Sequence, residues 1–149
     1  MIDSPSVVVT AAVIERDGRF LVTRRLDGTH LAGCWEFPGG KCEPGEAPVA
    51  CLAREIREEL DVAIRVGDEI FRTVYPYPDR VVELRFFQCT LDGDPVPVLD
   101  QAIQWIDRAD LATLEFPPAD RELIDWLRAR EVDNSSPGSG PTLNGDPPA

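Results

Sequence analysis

The chain has 149 residues, 43% of them hydrophobic, enough for one domain with a sizeable core. Its net charge of −12, from 27 acidic and 15 basic residues, argues against duplex nucleic acid as a main partner, because phosphate backbones are bound through basic surface. No apolar run approaches the roughly 18–20 residues needed to cross a bilayer. Met1 to Ser6 lacks the basic start and apolar stretch of a secretory leader, so the expectation is a cytoplasmic protein with no membrane association. The acidic balance leaves two readings open. One is a plain solvated surface; the other is a set of carboxylates that recruits divalent cations for a small phosphorylated ligand.

Val7 to Ile14 is a β-rich run, and a second follows from Phe20 to Thr23. Asp17-Gly18 between them predicts a hairpin, since that turn needs residues tolerant of positive φ. A glycine-rich loop, Asp27 to Gly33, leads into a short strand at Trp35-Glu36-Phe37 and then Pro38-Gly39-Gly40. Pro48 predicts the start of a helix, where a missing N–H is no loss. Val49, Leu52, Ala53, Ile56 and Leu60 recur at helical spacing as its apolar stripe.

Strands are expected at Phe71 to Tyr77 and Val81 to Leu91, with Pro78-Asp79-Arg80 between them, and at Ala102 to Ile106. A second helix is expected from Ala119 to Arg130, with Leu123, Ile124 and Leu127 inward. After Val132 the composition turns to Ser, Pro and Gly, so residues 1–132 are expected to form the domain and 133–149 a disordered tail. The mixed order predicts an α/β domain of layered sheet and helix. Cys34, Cys42, Cys51 and Cys89 contain no Cys-x-x-Cys pair or zinc-type array, and reduced thiols are expected.

The chemistry concentrates in Gly39-Gly40-Lys41-Cys42-Glu43-Pro44-Gly45-Glu46 and Arg54-Glu55-Ile56-Arg57-Glu58-Glu59-Leu60. Glu55, Glu58 and Glu59 stand at i, i+3 and i+4, which gathers three carboxylates on one helix face. Alone they read as a wet helix face. With Glu46 near the helix start and glycines that let backbone approach a ligand, they read as a Mg²⁺–phosphate corner.

Gly40, five residues, Glu46, seven residues, then Arg54-Glu55-Ile56-Arg57-Glu58-Glu59 resembles the Nudix box. The family's following glycine is Asp61 here, and aspartate tolerates left-handed backbone well enough for the helix end to survive. Trp35 to Lys41, Arg24-Arg25, His30, Tyr77 to Arg80 and Phe116 to Asp120 are similar to the MutT-like branch. The resemblance implies a mixed β-sheet sandwiched between α-helices. It implies Mg²⁺ or Mn²⁺ held by Glu55, Glu58, Glu59 and the Gly39 carbonyl, with Glu55 as a general base. Arg54 would orient the glutamates, with Glu46 in support.

The same resemblance puts Arg25, His30, Phe37, Gly40, Lys41, Arg80 and Asp120 around the phosphates and nucleoside. His30 also reads as a loop cap, Phe37 as core, and Asp120 as a helix N-cap. The branch often carries a further loop glutamate where this chain has Leu99; Asp100 beside it is the candidate substitute.

The implied reaction is hydrolysis of a nucleoside triphosphate to monophosphate and pyrophosphate, in nucleotide-pool sanitation, by a monomer or homodimer. CTP-type substrates and modified ones such as 8-oxo-dGTP both remain open. An ionised Asp120 would favour an exocyclic amino group, and a protonated one could read oxidised guanine. The rivals are another nucleoside diphosphate derivative as substrate, or a non-catalytic base-binding module.

Overall fold

A computed structural model describes residues 6–29 and 31–134. Strand β1 (Ser6–Arg16) turns through Asp17 and Gly18, both at positive φ (55° and 77°), into β2 (Arg19–Arg24). Arg16 then faces Arg19 across the two-residue turn predicted from Asp-Gly. Short strands β3 (Trp35–Glu36) and β4 (Gly39–Lys41) precede helix α1 (Pro48–Leu60). Long strands β5 (Ile64–Tyr77) and β6 (Arg80–Leu91) follow, then β7 (Ile103–Asp107), two 3₁₀ turns, and helix α2 (Arg121–Asn134).

β1 organises the sheet. It runs parallel to β6 from Ser6 to Ile14, antiparallel to β4 at Val9 to Ala11, and joins β2 at its end. β2 carries β3 and β7 on its two edges, and β5 pairs with β6. Because strand side chains alternate between faces, β1 supplies both cores. Ala11 and Val13 pack with Phe37, Phe86, Leu123 and Leu127 on the α2 side. Ala12 and Ile14 pack with Leu52, Ile56, Leu60 and Phe87 on the α1 side. The result is the expected mixed sheet between helices.

Four expectations are corrected. β5 begins at Ile64, seven residues before Phe71, because two register shifts carry charged and glycine positions through the strand. On α1, Val49 is 49% exposed and Ala53 is exposed, while Cys51 is fully buried in their stead. Cys42 and Cys51 are joined as a disulfide, not held as thiols, because the chain folds the end of β4 back onto the first turn of α1, with Cα atoms 5.3 Å apart. Helix α2 spans Arg121–Asn134, not Ala119 to Arg130, its first residues being taken by a 3₁₀ turn at Pro118–Asp120; residues 135–149 of the tail expected to be disordered lie outside the described residues.

Asp61 ends α1 in left-handed geometry (φ 49°, ψ 45°), and its N–H donates to the Arg57 carbonyl at 3.1 Å. Aspartate thus fills the position where this turn favours glycine. Among the described residues, no helix is long and apolar enough to cross a membrane.

Candidate active site

α1 presents its carboxylates toward the corner made by β4. Arg54 holds that corner together: Nε and Nη2 donate to the two Glu46 oxygens at 2.7 and 2.8 Å, and Nη1 donates to Glu55 at 3.0 Å and Glu58 at 3.2 Å. Nη2 also reaches the Lys41 carbonyl at 3.3 Å. Glu46 accepts the Glu43 N–H at 2.9 Å as well. The Arg54 bonds, with that backbone N–H, hold its carboxyl down at about 2. Glu46 is therefore an anion that holds Arg54, and it lines neither of the site's two cavities.

The two glycines have different reasons to be glycine. A Cβ on Gly39 would fall on the Thr10 carbonyl and Ala11 backbone, because β4 lies against β1 there. A Cβ on Gly40 would fall on the Glu55 carboxyl. Glu55 therefore reaches across the strand through space that only glycine leaves open.

A cavity of about 450 Å³ opens beside this corner. Gly39, Gly40, Lys41, Glu55 and Glu59 line one end, and Phe37, Leu84, Phe86 and Asp120 line the other, with Arg25, Glu36, Tyr77 and Arg80 between or around them. Phe37 is 3% exposed, stacks on Phe116 at 5.5 Å and meets Phe86 edge-on at 6.1 Å. It is core and pocket wall at once.

The carboxylates crowd one another. Burial first, then Glu36, Glu55 and Glu58, pushes Glu59 up to about 8. Burial also raises Glu55 and Glu36, opposed by Arg54 and Arg25 respectively. Glu55 contributes to the rise of Glu59, and both carboxyls line the same end of the cavity. Among the described residues, no three acidic side chains close on one point at ligand distance. The donor set nevertheless fits a hard divalent cation: it is all oxygen, and its members penalise one another for lack of positive charge.

Asp120 is 5% exposed, and burial with the nearby Glu36 pushes its carboxyl up to about 8, against the lowering effect of Arg25. Its side chain faces the cavity, and among the described residues no backbone N–H donates to it, so it is not acting as a cap. Glu58 is more than half exposed and touches Arg54. Arg80 lines the cavity beside Asp79, its Nη2 3.1 Å from that carboxylate. His30 lies outside the described residues.

Asp100 is exposed, at φ 61°, and lines neither this cavity nor its neighbour. Leu99 and Gln101 line the neighbouring cavity, and the Gln101 side chain donates to the Glu59 carbonyl at 3.1 Å.

Sequence reasoning missed Glu36 and Gln101. Glu36 accepts from Arg25 at 2.7 Å and stands next to Glu59 and Asp120. Its signal was a lone acid between Trp35 and Phe37 in an apolar strand. Gln101 gave none.

A model of the Nudix domain matches residues 9–126. The chain belongs to the Nudix family. Within it, this Nudix chain is similar to a CTP pyrophosphohydrolase of Escherichia coli (strain K12), 34% identical over 128 residues that cover 83% of this chain and 92% of that protein. It is similar also to an 8-oxo-dGTP diphosphatase of Haemophilus influenzae, 32% identical over 127 residues, covering 84% and 93%. The solution structure of the E. coli ORF135 protein superposes with a TM-score of 0.76 at 30% identity, covering 91% of this chain and 96% of that one. A MutT protein from Methanosarcina mazei shares the fold at a TM-score of 0.78. The chain is a MutT-like Nudix hydrolase by these likenesses, and α1 with its preceding loop is its Nudix box.

Proposed function

We propose that this Nudix protein hydrolyses nucleoside triphosphates to the monophosphate and pyrophosphate, with Mg²⁺ as the cation. The observation that carries this reading is one cavity with carboxylates at one end and a buried, base-sized apolar wall ending in Asp120 at the other. The names of its relatives, a CTP pyrophosphohydrolase and an 8-oxo-dGTP diphosphatase, support it.

The roles follow from the chemistry. A divalent cation held by Glu55, Glu58, Glu59 and the Gly39 carbonyl would neutralise the polyphosphate and lower the pKa of a water. Arg54 and Glu46 keep Glu55 and Glu58 in place through charge-assisted bonds. Glu55 lines the cavity beside Gly40 and Glu59, and it is assigned to receive the proton of the attacking water. The water oxygen bonds to the β-phosphorus as the bond from that phosphorus to the α,β-bridging oxygen breaks. Lys41 and Arg25 face the phosphates, and Phe37 and Phe86 exclude water from the base.

Asp120 bears on which base. With its carboxyl held up to about 8, it is neutral at pH 7 and offers a hydroxyl donor beside a carbonyl acceptor. That pair fits an edge with an acceptor beside a donor, as in N3 and N4 of cytosine or O6 and N1 of an oxidised guanine. An ionised aspartate would only accept. The proposed substrates are therefore CTP or dCTP types and 8-oxo-dGTP, and the proposed role is cleaning the cytoplasmic nucleotide pool.

A panel of CTP, dCTP, 5-methyl-dCTP and 8-oxo-dGTP with Mg²⁺, with products resolved, tests the reading. Pyrophosphate release is expected. Orthophosphate as the sole phosphate product would contradict it.

A further inference from the structure

Beyond Glu59, on the side away from the base wall, lies a second cavity of about 160 Å³. It shares Arg25, Glu36 and Glu59 with the main cavity, so the two adjoin across those side chains. Its other walls include Arg24, Leu99 and Gln101. The roof is fixed: Gln101 accepts the Leu99 N–H at 2.9 Å and donates to the Glu59 carbonyl at 3.1 Å, and the Val98 N–H reaches the same carbonyl at 3.1 Å. The cavity is thus built against the end of α1.

Arg24 and Arg25 leave β2 together but are used differently. Arg25 is ion-paired with Glu36 at 2.7 Å. Arg24 donates from Nε to the Gly33 carbonyl at 3.1 Å, and among the described residues it has no carboxylate within salt-bridge distance. Of the arginines that line the two cavities, Arg25 and Arg80 are paired with Glu36 and Asp79, and Arg24 is the one left for another anion among the described residues. One bond to a backbone carbonyl orients the group while its terminal N–H donors remain for a ligand. A guanidinium matches phosphate oxygens two at a time.

We infer that the second cavity is the subsite for the terminal phosphate, and that Arg24 is the residue that distinguishes a triphosphate from a diphosphate. The chain of phosphates runs from the main cavity past Glu59, and its end meets Arg24. A nucleoside diphosphate is too short to make that contact. The inference rests on the pyrophosphohydrolase reading, and inorganic pyrophosphate, the product that would occupy this subsite, is the probe that separates the two.

The test measures inhibition by pyrophosphate and binding of the nucleoside monophosphate, in wild type and Arg24→Gln. Arg24 is exposed at the end of its strand, so the variant should fold. Pyrophosphate inhibition is expected to weaken about ten-fold, the cost of a lost charged hydrogen bond. Monophosphate affinity should stay within about two-fold, since that product makes no contact with the group. Arg24→Lys should recover part of the loss. Equal pyrophosphate inhibition in wild type and Arg24→Gln would overturn the assignment, as would a loss that follows Lys41→Gln alone. A wild-type protein that neither releases pyrophosphate nor is inhibited by it defeats the underlying reading itself, and does so before any variant is made.

Discussion

Arg54 and Glu46 meet side-on, two guanidinium nitrogens against two carboxylate oxygens at 2.7 and 2.8 Å, although eight residues separate them. The pair ties the loop before α1 to the middle of that helix. Glu46 itself lines neither cavity, so its effect on chemistry runs through Arg54. Glu46→Gln should lower turnover by about ten- to a hundred-fold, the usual cost of losing a group that orients metal-binding side chains. The folded spectrum should be kept. Unchanged turnover would show that Arg54 needs no such anchor.

Glu59 is the most perturbed of the α1 carboxylates. Glu59→Gln should cost on the order of a thousand-fold in turnover under saturating Mg²⁺. Activity within a few-fold of wild type would mean that the metal-binding assignment is wrong.

Gly39 and Gly40 should fail differently when each is changed to Ala. The Gly39 methyl meets backbone on β1, which cannot move without breaking the sheet, so thermal denaturation should report a large loss of stability. The Gly40 methyl meets the Glu55 carboxyl, the far end of a side chain. Gly40→Ala should melt much closer to wild type and yet lose most of its turnover. Parallel melting and activity losses in the two variants would contradict the geometry.

Asp120 makes stability depend on pH. The folded chain keeps its proton up to about 8, whereas the unfolded chain releases it at about 4. Over that interval the folded state binds more protons, so this contribution is full below about pH 4, shrinks as pH rises, and is lost by about pH 8. Glu59 acts in the same direction. Asp120→Asn removes one of the two groups, so denaturant midpoints should fall less between about pH 5 and pH 8 than in wild type. An equal fall in both proteins would show that Asp120 is ionised throughout.

The end of α1 offers a separate check. Asp61→Val places a branched side chain in left-handed backbone and should cost about 1–2 kcal/mol of stability. Asp61→Gly should be neutral or slightly stabilising, because the lost contact with Arg57 is an exposed ion pair. Urea titration of both variants decides it.

What could be read from the sequence was what local chemistry writes there. Asp17-Gly18 names its turn, Pro48 names a helix start, and the spacing of Glu55, Glu58 and Glu59 names a face. Three things needed the folded chain. The Cys42–Cys51 bond depends on how β4 folds back onto α1. Val49 points outward because Cys51 takes the buried position. The early part of β5 is hidden because its bulges interrupt the two-residue alternation, and Gly67 sits where backbone comes close to the Gln88 carbonyl. In the site, the helix carboxylates were legible as a local spacing. Glu36 and Gln101 were not, since their partners Arg25 and Glu59 lie on other elements.

The shared position of β1 limits how this enzyme can be redesigned. Val9, Thr10 and Ala11 all border the cavity, and the fully buried Thr10 hydroxyl also lies against Cys51 of α1 at 3.3 Å. Enlarging a β1 side chain to exclude one base would press on the strand that also backs the catalytic helix. Changes of substrate range therefore have a freer route through Leu84 on β6 and the Pro117 to Asp120 turn, which line the base end without touching α1. A library built on those positions should alter selectivity while keeping the hydrolytic apparatus intact; one built on β1 should mostly yield unfolded protein.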